Sequence, residues 1–233
     1  MNGGIDYFSK GHPFSRYRSH HAWKAREKML AMFLKHAAPS AQSTILDLGV
    51  TPDTTLAESN HFEKRYPWPK QITAASIEPI DGLKKIHPQI KFEQIQPGAL
   101  PYPSRTFDCC FSSAVIEHVG DRENQLEFIK EISRVSDFFF ITTPNRWFPL
   151  DFHTITPLIH WLPRKQHQRI LRWMGKEFWS KTENLNLLGA KDLEILCQEA
   201  CPEFSVEIGH VSLMGWPSNL LAWGRRKCSK TEA

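Results

Sequence analysis

A chain of 233 residues, 41 % hydrophobic and 23 % charged, has the balance of an ordinary globular protein. It is long enough for one well-packed α/β domain with an insertion, or for two small domains. The net charge of +4 is too small by itself to imply a nucleic-acid partner, and none is expected.

The first 28 residues are polar and basic, and the apolar run Met29 to Leu34 is too brief for a membrane span and lacks a signal-peptide layout. Five cysteines fit neither a disulfide framework nor a zinc pattern, so no metal is expected. Cys109 and Cys110 in an apolar strand, and Cys197 and Cys201 on one helix face, read as buried free thiols of a reducing cytoplasm.

In chain order, Ser19 to His36 has helical spacing, with Trp23, Leu30, Phe33 and Leu34 sharing a face. Ser43 to Leu48 is a short buried strand ending at Gly49. Thr51-Pro52-Asp53 then reads as a helix start, with Thr51 as N-cap, Pro52 at the first helical position and Asp53 complementing the dipole. That helix is predicted to run to Tyr66. A second strand covers Ile72 to Ile77, a short helix Asp81 to Ile86, and a third strand Ile90 to Ile95.

Phe107 to Ser112 is the fourth strand, and Arg122 to Val135 a long amphipathic helix carrying Leu126, Ile129, Ile132 and Val135. Asp137 to Thr142 is the fifth strand. After an irregular insertion, Ala190 to Ala200 is helical, and Phe204 to Ile208 and Leu220 to Gly224 are the last strands. Strands alternating with helices predict a mainly parallel sheet covered on both faces.

In open sheets of this kind ligands sit beyond the carboxyl ends of the strands. Three of those ends carry hydrogen-bonding side chains: Asp47, Glu78 and Gln96. Here the sequence resembles the class I S-adenosylmethionine-dependent methyltransferases, in particular the type-11 group. The resemblance rests on Ile45-Leu-Asp-Leu-Gly49, Ser76-Ile-Glu78, Leu100-Pro-Tyr-Pro103 with Thr106-Phe-Asp108, and Ser112-Ser-Ala-Val-Ile-Glu-His-Val119, and covers roughly residues 40 to 145.

It implies a Rossmann-like, seven-stranded, mainly parallel sheet with helices on both faces, the last strand antiparallel, and a helical lid insertion. The whole chain 1–233 would be one methyltransferase-like domain: an N-terminal helical cap at 1–40, a cofactor-binding core at 41–143, an aromatic and basic lid at 144–189, and a C-terminal helix and strands at 190–233.

The same resemblance implies S-adenosylmethionine as cofactor. Asp47, Gly49, Val50, Thr51 and Asp53 would form the loop beside its methionine part, and Glu78 would accept hydrogen bonds from the ribose hydroxyls. Gln96 would reach the adenine amino group, and the stretch from Ser112 to Ile116, Ser113 included, would lie along the cofactor. Such families carry an Asp at the position of Gln96 and two further glycines in the loop. These departures keep open a second reading, a non-catalytic binding or partner protein of the same fold.

A weaker third reading is an NAD-dependent oxidoreductase. Its glycine-rich loop brings backbone close to a pyrophosphate at a helix N-terminus. Asp53 would place a negative charge in that anion site. Acidic Asp47, Asp53 and Glu78 suit instead a ligand carrying a sulfonium and an ammonium.

Methyl transfer from a sulfonium is an in-line displacement, so the protein positions the acceptor and, for a hydroxyl or ammonium, removes a proton. His118, just after the fourth strand, is the candidate base, with helix capping as its structural alternative and Glu117 as a weaker candidate. Asp108 reads as a brace at the strand entry. Asn145, Arg146 and His153 are candidate acceptor-binding residues.

From Arg146 to Glu183 there are seven Lys or Arg against three acids. Lys165, Arg169, Arg172 and Lys176 are expected on one helical face, with Ile170, Leu171, Trp173, Met174 and Phe178 as apolar surface. Residues 164–179 therefore read either as a peripheral membrane contact or cover for a lipid- or saccharide-linked acceptor, or as a packed lid with a solvated basic face. Tyr7, Phe8, Phe14 and Tyr17 are candidates to close over the cofactor.

Overall fold

A computed structural model describes residues 15–228, with side chains from His21 onward. Tyr7, Phe8 and Phe14, and the side chain of Tyr17, lie outside the described residues.

Helix α1 (Ser15–Ala37) precedes the first strand, β1 (Ile45–Leu48), and is followed after a loop by α2 (His61–Arg65). Then come β2 (Ile72–Ser76), α3 (Asp81–Ile86), β3 (Lys91–Gln94), β4 (Phe107–Ser113), α4 (Arg122–Val135) and β5 (Ser136–Pro144). The insertion contains a minimal hairpin, β6 (Leu150–Asp151) with β7 (Thr156–Pro157), and α5 (Arg164–Trp173). Helix α6 (Ala190–Ala200) leads to the long hairpin β8 (Phe204–Leu213) and β9 (Trp216–Arg226).

The seven-stranded sheet has the order β3-β2-β1-β4-β5-β9-β8. The first five strands pair in parallel, and β9 runs antiparallel to both neighbours. This is the Rossmann-like α/β sheet the sequence implies. The order reverses between β1 and β4, so the crevice for a ligand opens above the ends of those two strands.

Central strands are apolar on both faces because helices cover both. Phe111, Phe138 and Phe140 face one core with Phe33, Phe62 and Tyr66 from α1, α2 and the residue after it. Cys110, Phe139 and Ile141 face the other, with Ile129 and Ile132 of α4 and Leu193 and Leu196 of α6. Cys109, Cys110, Cys197 and Cys201 are buried free thiols, as expected, and burial pushes Cys109 up to about 12. Asp108 braces the strand entry: its carboxylate accepts from Thr44 N at 2.7 Å and Thr44 Oγ1 at 2.9 Å.

Helices α3, α4 and α6 fall where the sequence places them, and Asp121 caps α4 by accepting from Asn124 N at 3.1 Å. The helix predicted from Thr51 is a correction. Residues 51–60 form turns, and only His61–Arg65 is helical. Thr51-Pro52-Asp53 satisfies a helix-cap pattern, but the Asp53 carboxylate instead accepts from Thr55 N, Thr55 Oγ1 and Ser59 Oγ, at 3.1, 2.6 and 2.7 Å. An Asx-type turn thus takes the chain away from helix.

The final strands are longer than their apolar runs, because two strands pairing with each other continue beyond the core. Helix α5 ends at Trp173, and Gly175 follows at φ +72, so Lys176 leaves the expected basic face. Among the described residues, no helix is long and apolar enough to cross a membrane.

Candidate active site

Gly49 leaves β1 at φ +96, a conformation glycine adopts at no steric cost, and its N–H donates to Ala75 O at 2.8 Å. A Cβ there would meet Val115 Cγ2 at 2.2 Å. The stretch after β4 therefore lies directly on the β1 turn, and only a glycine permits that approach. Ala114, between Ser113 and Val115, is held at φ 58. Such strain tends to be stored where a segment is positioned for a ligand.

Asp47 is buried beside a cluster that the sequence did not reveal. Partly buried Arg26 of α1 is held down by burial and faces the charges of Glu58, Glu63, Asp47 and Glu117. Burial lifts the Asp47 carboxyl well above its ordinary range, and the nearby Glu63 adds to the shift. Glu63 is pushed up to about 7, again mainly by burial, with Arg26 and Lys64 opposing. Glu63 Oε1 and Glu117 Oε1 are buried without a hydrogen-bond partner among the described residues. Four acids around one guanidinium give this end of the sheet a surplus of acidic groups.

The other expected cofactor residues stand at or beyond the ends of β1, β2, β3 and β4. Val50 is buried, and its N–H lies 3.3 Å from Ala75 O. Thr51 Oγ1 accepts from Asp53 N at 3.3 Å, so both side chains are engaged within their own turn. Burial raises the Asp53 carboxyl, but the hydrogen bonds from Thr55 and Ser59 outweigh it and hold the group low. Glu78 is half-buried at the end of β2, and its N–H donates to Ser76 Oγ at 3.1 Å. Gln96 is exposed beyond β3. Ser113 Oγ pairs with Thr142 Oγ1 at 2.9 Å across β4 and β5.

His118 Nδ1 lies 2.7 Å from Asn184 O, which fixes the proton on Nδ1, since a carbonyl only accepts. Burial, followed by the charge of His153, pushes His118 down to about 3. The imidazole therefore stays neutral and binds a proton poorly. His153 Nδ1 lies 3.2 Å from Asp151 Oδ1. Burial disfavours its charged form, yet the Asp151 hydrogen bond and charge raise it overall. Glu117, raised by burial, accepts from Thr143 Oγ1 at 2.9 Å through Oε2.

The structure brings His118, His153 and Glu117 together, but Arg146 and Asn145 serve other ends. Asn145 is tied into the chain: its Nδ2 donates to Pro217 O at 2.9 Å and its Oδ1 accepts from Trp147 N at 3.0 Å. Arg146 donates to Leu162 O at 3.2 Å and lines a narrow cleft with Arg164, His160, His167, Trp179 and Asn186. Arg164 donates to Asn186 Oδ1, and Asn186 N donates to Glu117 O at 2.8 Å. The basic cleft thus abuts the Glu117 cluster. Arg26, Glu63, Asp151 and Arg164 were not singled out as site residues. Only the two-residue spacing of Asp151 and His153 carried a local signal, that of an Asx turn.

The comparisons with known proteins bear on the fold. Residues 59–137 match the family described as a methyltransferase domain, a stretch running from the loop before α2 into β5. No curated protein matches the sequence. Among solved structures, the chain resembles a protein of Pyrococcus horikoshii OT3 at 15 % identity, TM-score 0.57, with 97 % of each chain covered. It also resembles an S-adenosylmethionine-dependent methyltransferase of Mesorhizobium loti at 14 % identity, TM-score 0.58, covering 86 % of this chain and 96 % of that one. A third is the 1,6-didemethyltoxoflavin N1-methyltransferase of Burkholderia thailandensis, solved with S-adenosylhomocysteine, at 12 % identity and TM-score 0.57, with 91 % and 81 % covered.

Residues 59–137 thus match a methyltransferase domain, and the sheet as a whole has the fold of solved methyltransferases whose methyl donor is S-adenosylmethionine. The residues present fit that donor: the buried acids around Arg26 include Asp47 at the end of β1, an environment that would favour a cationic ligand over a pyrophosphate.

Proposed function

We propose that the protein methylates an acceptor bearing an anionic group, either a small molecule or the head of a lipid- or saccharide-linked compound. The observation that carries this reading is the pairing of opposite charges at one end of the sheet. Acids cluster around the β1 and β4 ends, and the Arg146–Arg164 cleft adjoins them through Asn186.

In this reading Asp47, Gly49, Val50, Thr51 and Asp53 shape the donor's methionine side, Glu78 holds its ribose, Gln96 reaches its adenine, and Ser113 lies along it. The bound donor supplies an electrophilic methyl group. His118 stands on the acceptor side and, being weakly basic, accepts a hydrogen bond from the acceptor rather than removing a proton outright. His153 orients the acceptor beside it, Arg146 and Arg164 hold its anionic group, and Asn145 keeps the loop that carries Arg146 in place.

Glu78→Ala tests the donor assignment. Loss of charge-assisted hydrogen bonds is expected to weaken S-adenosylmethionine binding by about 1.5–3 kcal/mol. Calorimetry that returned an unchanged affinity with the variant folded would remove Glu78 from the site.

A specific observation favours the lipid-linked form of the acceptor. Trp173 at the end of α5 is 86 % exposed, Met174 and Phe178 are exposed beside it, and Lys165, Arg169 and Arg172 are exposed on the same helix. Aromatic and basic groups presented together suit an anionic membrane surface. Co-sedimentation with phosphatidylglycerol-containing vesicles is expected at low salt and is expected to fall at least severalfold in Trp173→Glu. Absence of vesicle binding by the parent chain would leave α5 as a lid with a solvated basic face.

A further inference from the structure

The acceptor-side cluster contains three side chains whose polar atoms converge without bonding one another. Glu117 Oε1 lies 3.9 Å from His118 Nε2 and 4.0 Å from His153 Nε2, too far for hydrogen bonds. One ligand atom from each of the three residues falls within 4.8 Å of those from the other two. The histidine rings meet edge to face, with centroids 4.9 Å apart. We propose that Glu117, His118 and His153 form a binding site for one divalent transition-metal ion, with zinc favoured by the donor chemistry. The site goes beyond the methyl-transfer reading and does not depend on it.

The strongest observation is Glu117. Its side chain is fully buried, its Oε2 is engaged by Thr143, and its Oε1 has no hydrogen-bond partner among the described residues although it points at the two imidazoles. A buried carboxylate oxygen left without a partner is costly. An ion seated between these atoms would supply that partner.

The second observation is the set of bonds behind the ligands. His118 Nδ1 donates to Asn184 O at 2.7 Å, which makes Nε2 the nitrogen that carries the lone pair. His153 Nδ1 lies 3.2 Å from Asp151 Oδ1, and the same Asp151 oxygen accepts from His153 N at 3.0 Å. Asp151 is in turn bonded by Thr154 Oγ1 at 2.5 Å, and Thr154 pairs with Thr156 at 2.6 Å. A ligating histidine characteristically gives its other N–H to a carboxylate or a backbone carbonyl, which fixes tautomer and ring orientation. Here both histidines do so, one in each way.

The donor set also indicates which ion would fit. Two imidazoles and one carboxylate suit zinc, or another first-row metal, and are poor for calcium or magnesium. With metal–ligand bonds of about 2.1 Å, tetrahedral ligands stand about 3.4 Å apart. The present separations would close by less than about 1.5 Å, within the reach of small side-chain rotations. Three protein ligands leave a further position for water or an acceptor atom. A loaded site engages His118 Nε2, so metal binding and the hydrogen bond from the acceptor exclude each other at that atom.

The test uses the full chain, stripped of metal with a chelator and titrated with zinc chloride in a calorimeter, then with cobalt(II) followed by visible absorption. One equivalent of zinc is expected to bind at micromolar concentration or below. Cobalt is expected to give d–d bands of a four- or five-coordinate N/O site, without the thiolate charge-transfer band that a cysteine site would show. Glu117→Gln keeps the side chain's size and its Thr143 contact, and is expected to weaken zinc binding at least 100-fold. Asp151→Asn, which leaves all three ligands in place, is expected to weaken it 10- to 100-fold. No saturable binding of zinc or cobalt by the folded chain would overturn the proposal. So would binding unchanged in Glu117→Gln, or a cobalt spectrum showing thiolate ligation.

Discussion

Gly49→Val is expected to destabilise the protein by about 2–5 kcal/mol and to abolish measurable binding of S-adenosylmethionine. Two costs add. A non-glycine residue at φ +96 meets a backbone penalty of about 1–2 kcal/mol. The new side chain also enters a space already filled by Val115, whose Cγ2 lies 2.2 Å from where a Cβ would sit, and overpacking of this kind costs about 1–3 kcal/mol. Relief requires the stretch after β4 to withdraw from the β1 turn, which displaces Ser113 and Glu117 together. Gly82→Ala is the internal control. Gly82 lies in α3 with no atom within 4 Å of a new Cβ, and that change is expected to be neutral or to stabilise by up to about 1 kcal/mol. Urea unfolding of the two variants checks the contrast. A Gly49→Val protein as stable as the parent would mean that β4 does not press on this turn.

The second large effect is expected from Arg26→Met, which takes away the guanidinium among Asp47, Glu58, Glu63 and Glu117. Removing one partner of a buried charge cluster costs about 3–5 kcal/mol when the remaining charges cannot escape. Here part of the cost is avoided by protonation, so the loss depends on pH. Glu63 in the folded protein is pushed up to about 7 from an ordinary value of 4.5. Between those values the folded chain keeps a proton that the unfolded chain has released. Stability therefore falls as pH rises through that window, by at most about 1.4 kcal/mol per pH unit for each such group.

In Arg26→Met the carboxyls lose that opposing charge, so the fall is expected to continue above pH 7. The variant should lose about 3 kcal/mol at pH 8 and less at pH 5. Glu63→Gln is expected to flatten the slope in the parent chain and to recover part of the loss when combined with Arg26→Met. Urea midpoints at pH 5, 6, 7 and 8 provide the check. A parent protein whose stability rises over this range, and a Glu63→Gln variant with an unchanged slope, would contradict the buried acid cluster.

What was legible in the sequence was local. Apolar runs such as Phe107 to Ser112 and Asp137 to Thr142 can be buried on both faces only in a covered parallel sheet. The spacing of Leu126, Ile129, Ile132 and Val135 fixed α4 because one turn of helix reads its own neighbours. Residues 51–53 misled for the same local reason: Thr-Pro-Asp satisfies a helix start and an Asx turn equally. The choice was made by Thr55 and Ser59, whose hydroxyls capture Asp53.

The candidate site was legible only where a residue stands at a strand end, as Asp47, Glu78 and His118 do. The Arg26 cluster draws one residue each from α1, β1, α2, a loop and the short 3-10 turn Ile116–His118, and the metal-ligand candidates join residues 35 apart. No spacing rule within one helix or strand encodes such a meeting. Glu63 sits in an ordinary-looking run, His61-Phe-Glu-Lys-Arg65, and its burial comes from how α2 is seated against α1.

The acidic crevice above β1, β2 and β4 is expected to hold S-adenosylmethionine. Calorimetric titration of the purified full chain with S-adenosylmethionine and S-adenosylhomocysteine tests it most directly, with NAD as the competing ligand. One binding site per chain is expected for both adenosyl compounds, micromolar in strength and weakened at least tenfold in Glu78→Ala, with no heat from NAD. A folded chain that binds neither adenosyl compound at millimolar concentration, or that binds NAD in their place, would contradict it.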